Sequence, residues 1–244
     1  MISLNEHIKE SLLSDFDDLE ASMDPKKDIE QFIRNNYEIK GVLQISREPN
    51  KNGKYDVSCR GVKVVNGGIT SLTNNMFEWS EISGDFNCSY CKSLKTLEGA
   101  PKKVGGDFYC SWCDSLTSLE GAPKEVGRDF VCEYCNSLKF LKGVPKIIKG
   151  VFSCSFCDSL ISLKGAPEYT GGFICSFCDS LKSLKGAPEK VESGFSCVNC
   201  RALTSLEGAP KEVGKSFECF NCGKKFTKDD VKRVCNVEDN SIYV

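Results

Sequence analysis

Seven Cys-x-x-Cys pairs recur along the chain, and each follows a phenylalanine placed two residues ahead of its first cysteine. The anchors are Phe86, Phe108, Phe130, Phe152, Phe173, Phe195 and Phe217, separated by 22, 22, 22, 21, 22 and 22 residues. Thiol pairs at this spacing can hold zinc or cycle between dithiol and disulfide. Cys-x2-Cys-x18-Cys-x2-Cys lies inside the spacing of many structural zinc sites, so zinc is a serious reading. Against it, seven pairs do not couple evenly, although Cys59 or Cys235 could complete a set, and His7 is the only histidine. Each pair is also embedded in a Phe/Leu pattern that already places a thiol inward. Seven redox motifs in tandem make little chemical sense. The pattern therefore predicts reduced, buried thiols with no metal and no cofactor, and a zinc-stabilised array is the alternative.

In the first six copies the motif continues as x-[Ser/Ala]-Leu-x-x-Leu-x-Gly-[Ala/Val]-Pro, for example Cys113-Asp-Ser-Leu116-Thr-Ser-Leu119-Glu-Gly121-Ala-Pro123. A fixed period in the twenties means a solenoid whose coils bury apolar faces only against their neighbours. Strand alternation turns the Phe and the first Cys inward and turns residues such as Tyr109, Ser111 and Ser155 outward. The second Cys falls where the strand ends, two leucines point inward behind it, and Gly-Ala-Pro forces a corner.

The ends depart from this period. Residues 2–23 carry Leu4, Ile8, Leu12, Phe16, Leu19 and Met23 at helical spacing behind a Ser3/Glu6 capping-box pattern. Asp24 before Pro25 marks the start of a second helix. From Glu38 the period is two, and a turn-rich Pro49–Gly53 stretch separates two strands of a hairpin ending at Cys59. Val62-Lys-Val64 and Ile69-Thr-Ser-Leu72 form a worn repeat without the Cys pair. Thr227 reads as the N-cap of a short C-terminal helix. The expected organisation is an N-terminal cap over 1–60, a solenoid over 61–222 and a C-terminal cap over 223–244.

Phe-x-Cys-x-x-Cys-x-x-Leu-x-x-Leu resembles the leucine-rich-repeat pattern Leu-x-Leu-x-x-Asn/Cys-x-x-Leu, with Cys113 and its equivalents in the Asn/Cys slot. The fuller string Gly-Asp-Phe-x-Cys-Ser-x-Cys-x-Ser-Leu-x-Ser-Leu-Glu-Gly-Ala-Pro-Lys-x-Val is similar to short leucine-rich-repeat-like proteins of tailed bacteriophages and some gut bacteria, as is the opening Met-Ile-Ser-Leu-Asn-Glu-His. The resemblance implies a repeat scaffold from a bacterial cytoplasm or a phage-infected cell, with no catalytic residues. It also implies that the side chain in the Asn/Cys slot hydrogen-bonds the turning backbone. The expected fold is mainly β: a leucine-rich-repeat-like parallel β-solenoid of about seven to eight 22-residue coils with a small α+β N-terminal cap.

A net charge of −2 gives no global pull toward nucleic acid or an anionic surface. No apolar run reaches 18 residues, so no membrane span is expected, and the N-terminus lacks the pattern of a signal peptide. Five of six coils carry opposite charges across the Gly-Ala-Pro corner, such as Glu120 with Lys124 and Lys164 with Glu168, which predicts pairing within each coil. Coil three leaves Lys139, Lys142, Lys146 and Lys149 unanswered, a small basic spot for an anionic contact, but nucleic acid is the weaker reading. With a single histidine and no phosphate loop, an enzyme is not expected.

The slot before the second Cys holds Tyr90, Trp112, Tyr134, Phe156 and Phe177, then Asn199 and Asn221. Five aromatics in register form either a ladder that stiffens the solenoid or a patch for a protein partner. The candidate partner-binding residues are this stripe together with the outward Tyr109, Val131 and Ile174. The partner's identity and the oligomeric state are not legible in the residues.

Overall fold

The computed structural model describes residues 24–238 and 241–244, so the helix expected over 2–23 lies outside the described residues. The chain winds into a parallel β-solenoid of about eight coils. Each coil gives two short strands to two ladders that run side by side. One ladder carries the Val positions, as in Lys103–Val104, Glu125–Val126 and Lys190–Val191; the other carries the Phe positions, as in Phe86–Asn87, Phe108–Tyr109 and Phe130–Val131. In coils four and five the two strands fuse into β11 (Ile147–Ser153) and β12 (Tyr169–Ile174). Coil five is the one 21 residues long: Thr170-Gly-Gly-Phe173 lacks the residue that Asp107 supplies in Val104-Gly-Gly-Asp-Phe108.

The register is set by the hydrophobic column. Phe86, Phe108, Phe130, Phe152, Phe173, Phe195 and Phe217 stand opposite one another and are wholly buried, with ring centroids 4.9–5.7 Å apart. The paired leucines are buried as expected, and their backbones form a third rung at the rear, for example Leu119 N–H to the Lys142 carbonyl. At the corner, Gly165 adopts φ +93°, and a Cβ there would stand 2.7 Å from the Lys142 backbone nitrogen. Glycine is required there both for its left-handed conformation and for the close approach of the coil beneath.

The N-terminal end is closed by α1 (Pro25–Asn36), whose Asp24 cap accepts the Lys26 N–H at 3.1 Å and whose Ile29 and Ile33 are buried. Phe32 meets Phe77 edge-on and Tyr37 meets Trp79, so aromatic contacts join helix and sheet. The expected hairpin is present: β2 (Gln44–Ile45) pairs antiparallel with β3 (Tyr55–Cys59). The parallel ladder already begins there. Tyr55 lies opposite Phe77, and Val62 lies opposite Phe86, so Val62 fills the phenylalanine slot of the worn repeat. At the other end α2 (Lys228–Lys232) is capped by Thr227 in a reciprocal box with Asp230. The chain then returns to add β17 (Ile242–Tyr243), which places Ile242 beside Phe217 and finishes the Phe ladder with one more rung.

Two expectations are corrected. Charges pair between coils, not across the corner within one coil: Lys142 meets Glu120 at 2.6 Å, Lys185 meets Glu207 at 2.9 Å, and Glu189 meets Lys211 at 2.7 Å. Lys142 and Lys146 are thereby answered, the latter by Glu168 at 2.7 Å, so the basic spot of coil three loses two of its four members. Residues 22 apart are separated by one strand spacing, whereas the Gly-Ala-Pro turn sends residues four apart to different sides. The second correction concerns Ser155, which faces outward by alternation yet is hidden from water. Among the described residues no helix is long and apolar enough to cross a membrane.

Candidate binding face

The thiols are structural parts of the coil. From the second motif on, the second cysteine donates to the carbonyl of the first cysteine one coil back: Cys113 to Cys88 at 3.3 Å, Cys135 to Cys110 at 3.2 Å, Cys157 to Cys132 at 3.3 Å, and so on to Cys222 with Cys197 at 3.3 Å. These carbonyls turn out of the ladder where the strand ends, and the thiol supplies the donor they lack. This is the backbone role that the leucine-rich-repeat resemblance implies for the slot. Every cysteine is a free thiol. Burial pushes the thiol pKa values up, to about 12 for Cys135 and Cys200 and well beyond the ordinary thiol value for Cys110, Cys132 and Cys154. Cys222, half-exposed at the end of the array, is the exception: a hydrogen bond from the Cys197 thiol holds it below the ordinary value. Among the described residues no group of three or more His, Cys, Asp or Glu is arranged to hold a metal ion.

The aromatic slot has a property the sequence did not disclose. Tyr90, Trp112, Tyr134, Phe156 and Phe177 all have left-handed backbones, with φ between 56° and 65°, and Asn199 and Asn221 share that conformation. Their N–H groups continue the ladder across the turn, Trp112 to the Glu133 carbonyl and Phe156 to the Ser176 carbonyl, both at 2.9 Å. Asparagine tolerates this conformation; a bulky aromatic in it is strained by roughly 1–2 kcal/mol. The rings respond by stacking. Centroids are 6.0 Å apart for Tyr90 and Trp112, then 3.9, 4.3 and 4.4 Å down to Phe177, with ring planes within 11° of parallel. Each stack returns about 0.5–1.5 kcal/mol, so strain and stacking nearly cancel.

Stacking also decides what the stripe presents. Trp112 and Phe177 remain 37% and 38% exposed and Tyr90 64%, whereas Tyr134 and Phe156 are half-buried. Ring faces are taken up by neighbouring rings, so what solvent meets is a row of ring edges. A nucleobase needs an open aromatic face, and only Tyr90 and Phe177, at the two ends of the row, have one side not covered by another ring of the stripe.

Beside the stripe lie Tyr109, Val131 and Ile174, each half-buried on the strand face. The Tyr109 hydroxyl donates to Asp107 at 2.9 Å, and burial followed by that bond pushes its pKa up to about 12. Asp107 belongs to a column outside the Phe-x-Cys-x-x-Cys motif. Asp85, Asp107 and Asp129 each accept a backbone N–H from the next coil, at 3.0, 3.0 and 2.8 Å. Arg128 clamps the first two, at 2.9 Å to Asp85 and 3.1 Å to Asp107. The recurring Gly-Asp before Phe in coils two and one was the available signal. Thus the structure brings all eight candidate residues onto one face and corner of coils one to five.

No family model matches the chain, and neither a curated protein nor a solved structure is found to match it.

Proposed function

We propose that the protein is a non-catalytic, leucine-rich-repeat-like scaffold that binds a protein partner through the strand face of coils one to five, centred on Trp112 and Tyr134. One observation carries this reading. Five successive coils place a bulky aromatic in a backbone conformation that disfavours it, while coils six and seven use asparagine at no such cost. Stability alone does not favour that choice, because strain offsets most of what stacking contributes. Strained residues cluster where a surface is used, and exposed aromatics commonly supply the anchors of an interface. Reduced thiols throughout the core support a reducing compartment, and the repeat's resemblance to phage and bacterial proteins supports a bacterial or phage-infected cytoplasm.

The test uses the substitution that the solenoid itself employs. Trp112→Asn with Tyr134→Asn keeps a residue suited to the left-handed turn, so the thermal midpoint should stay within a few degrees of wild type. Partner capture from bacterial lysate, read by mass spectrometry against wild-type bait, should fall to background. Equal recovery of the same partner by both baits would sink the reading.

A further inference from the structure

The charges around the stripe differ from those on the rest of the surface. Elsewhere many charges meet an opposite one coil away, as in Glu81 with Lys103 at 3.1 Å and Lys190 with Glu212 at 3.1 Å. On the strand face the column is Asp85, Asp107 and Asp129, with Glu133 beside Tyr134. Arg128 neutralises the first two only; among the described residues no ion pair reaches Asp129 or Glu133. Glu133 is held over the face by the Ser153 hydroxyl, which donates to it. Across the stripe a second column opens with Lys92 beyond Tyr90 and then places Asp114, Asp158 and Asp179 two residues beyond Trp112, Phe156 and Phe177. Arg201 answers Asp179 at 3.5 Å, and among the described residues Asp114 has no ion pair and accepts from the amide of Asn136 at 3.3 Å. A row of apolar ring edges thus runs between carboxylates on both sides, although the chain as a whole is nearly neutral.

Resting on the reading of this face as a partner site, we infer that its partner is a basic polypeptide segment. Its apolar side chains lie along the edges of Trp112, Tyr134 and Phe156, and its Lys or Arg side chains reach Asp129 and Glu133 on one flank and Asp114 and Asp158 on the other. Unanswered carboxylates beside an apolar strip select a cationic ligand and repel an acidic one, and they act most strongly at low ionic strength. The same field disfavours phosphodiester chains, whose phosphates would meet these carboxylates.

A random dodecapeptide display library, panned on wild type and on Trp112→Asn/Tyr134→Asn, tests the inference. Peptides that bind wild type and not the double variant should be enriched in Lys and Arg together with apolar residues. Asp129→Asn with Glu133→Gln preserves the hydrogen-bond acceptors for Val151 N–H and the Ser153 hydroxyl. That pair should weaken a synthetic copy of the selected peptide about tenfold at low salt and much less at high salt. Stripe-dependent peptides that are neutral or acidic would overturn the inference and leave the stripe as a binding site. Basic peptides that bind both baits equally would overturn the stripe reading itself, and so would the absence of any stripe-dependent peptide.

Discussion

Ser155 and Leu160 belong to the same coil and are both hidden from water, yet they contribute in opposite ways. Leu160 fills the core, so Leu160→Ala should destabilise by about 2–5 kcal/mol. Among the described residues the Ser155 hydroxyl has no hydrogen-bond partner, and a buried polar group without one is a cost. Ser155→Ala should therefore be neutral or slightly stabilising in chemical denaturation, by up to about 1 kcal/mol; a loss comparable to Leu160→Ala would mean the hydroxyl is bonded. Alternation in the sequence assigns Ser155 to an outward slot. It cannot give exposure, because that depends on neighbours 22 residues away. Ser153, in the next outward slot, lies between Val131 and Ile174, larger side chains that stand on either side of it. The left-handed backbone of the aromatic slot was legible only in hindsight, from the two asparagines that share it with five aromatics.

At the scale of one coil, the corner glycine does more than permit a turn. Gly53, in the N-terminal hairpin, also has a positive φ of +70°, but nothing lies within 4 Å of the Cβ it would carry. Gly53→Ala should cost about 1–2 kcal/mol from backbone strain alone. Gly165→Ala adds a collision with the backbone of the coil beneath, at Lys142, which cannot move without shifting the whole stack. It should cost at least about 2 kcal/mol more than Gly53→Ala in parallel urea titrations; equal losses would show that the coils are not in such close contact. The six Gly-[Ala/Val]-Pro corners made this element readable from the sequence. What misled was charge, since glutamate and lysine four apart look like natural partners until the turn separates them. The pairs that form, such as Lys146 with Glu168, follow the stacking period, which is a property of neighbouring coils and not of one.

Along the whole molecule, stacking multiplies a small effect. The pKa of every cysteine except Cys222 is raised, by burial everywhere but Cys197, where the hydrogen bond with Cys222 comes first: to about 11 for Cys59, Cys91 and Cys235 near the ends and further through the middle. An unfolded thiol ionises near about 8.5, so in mildly alkaline solution the unfolded chain releases protons that the folded chain keeps. The folded state then binds more protons, and its stability must fall as pH rises. Below the unfolded value both states are protonated and this contribution to stability is fully present; it is lost between that value and the folded ones. One buried thiol gives up about 1.4 kcal/mol for each pH unit above its unfolded value, and an array of them should exhaust a stability of about 5–15 kcal/mol within roughly one unit of that value. Thermal midpoints followed by circular dichroism should therefore be level near neutral pH and fall steeply from about pH 8, with complete unfolding by about pH 9–10. If the pairs instead held zinc as thiolates, the folded state would carry fewer protons than the unfolded one. Stability would then rise with pH up to about the unfolded thiol value, level off above it, and fall in acid. A midpoint that stays level or climbs toward pH 10 would overturn the assignment of these thiols to the core and return zinc to contention.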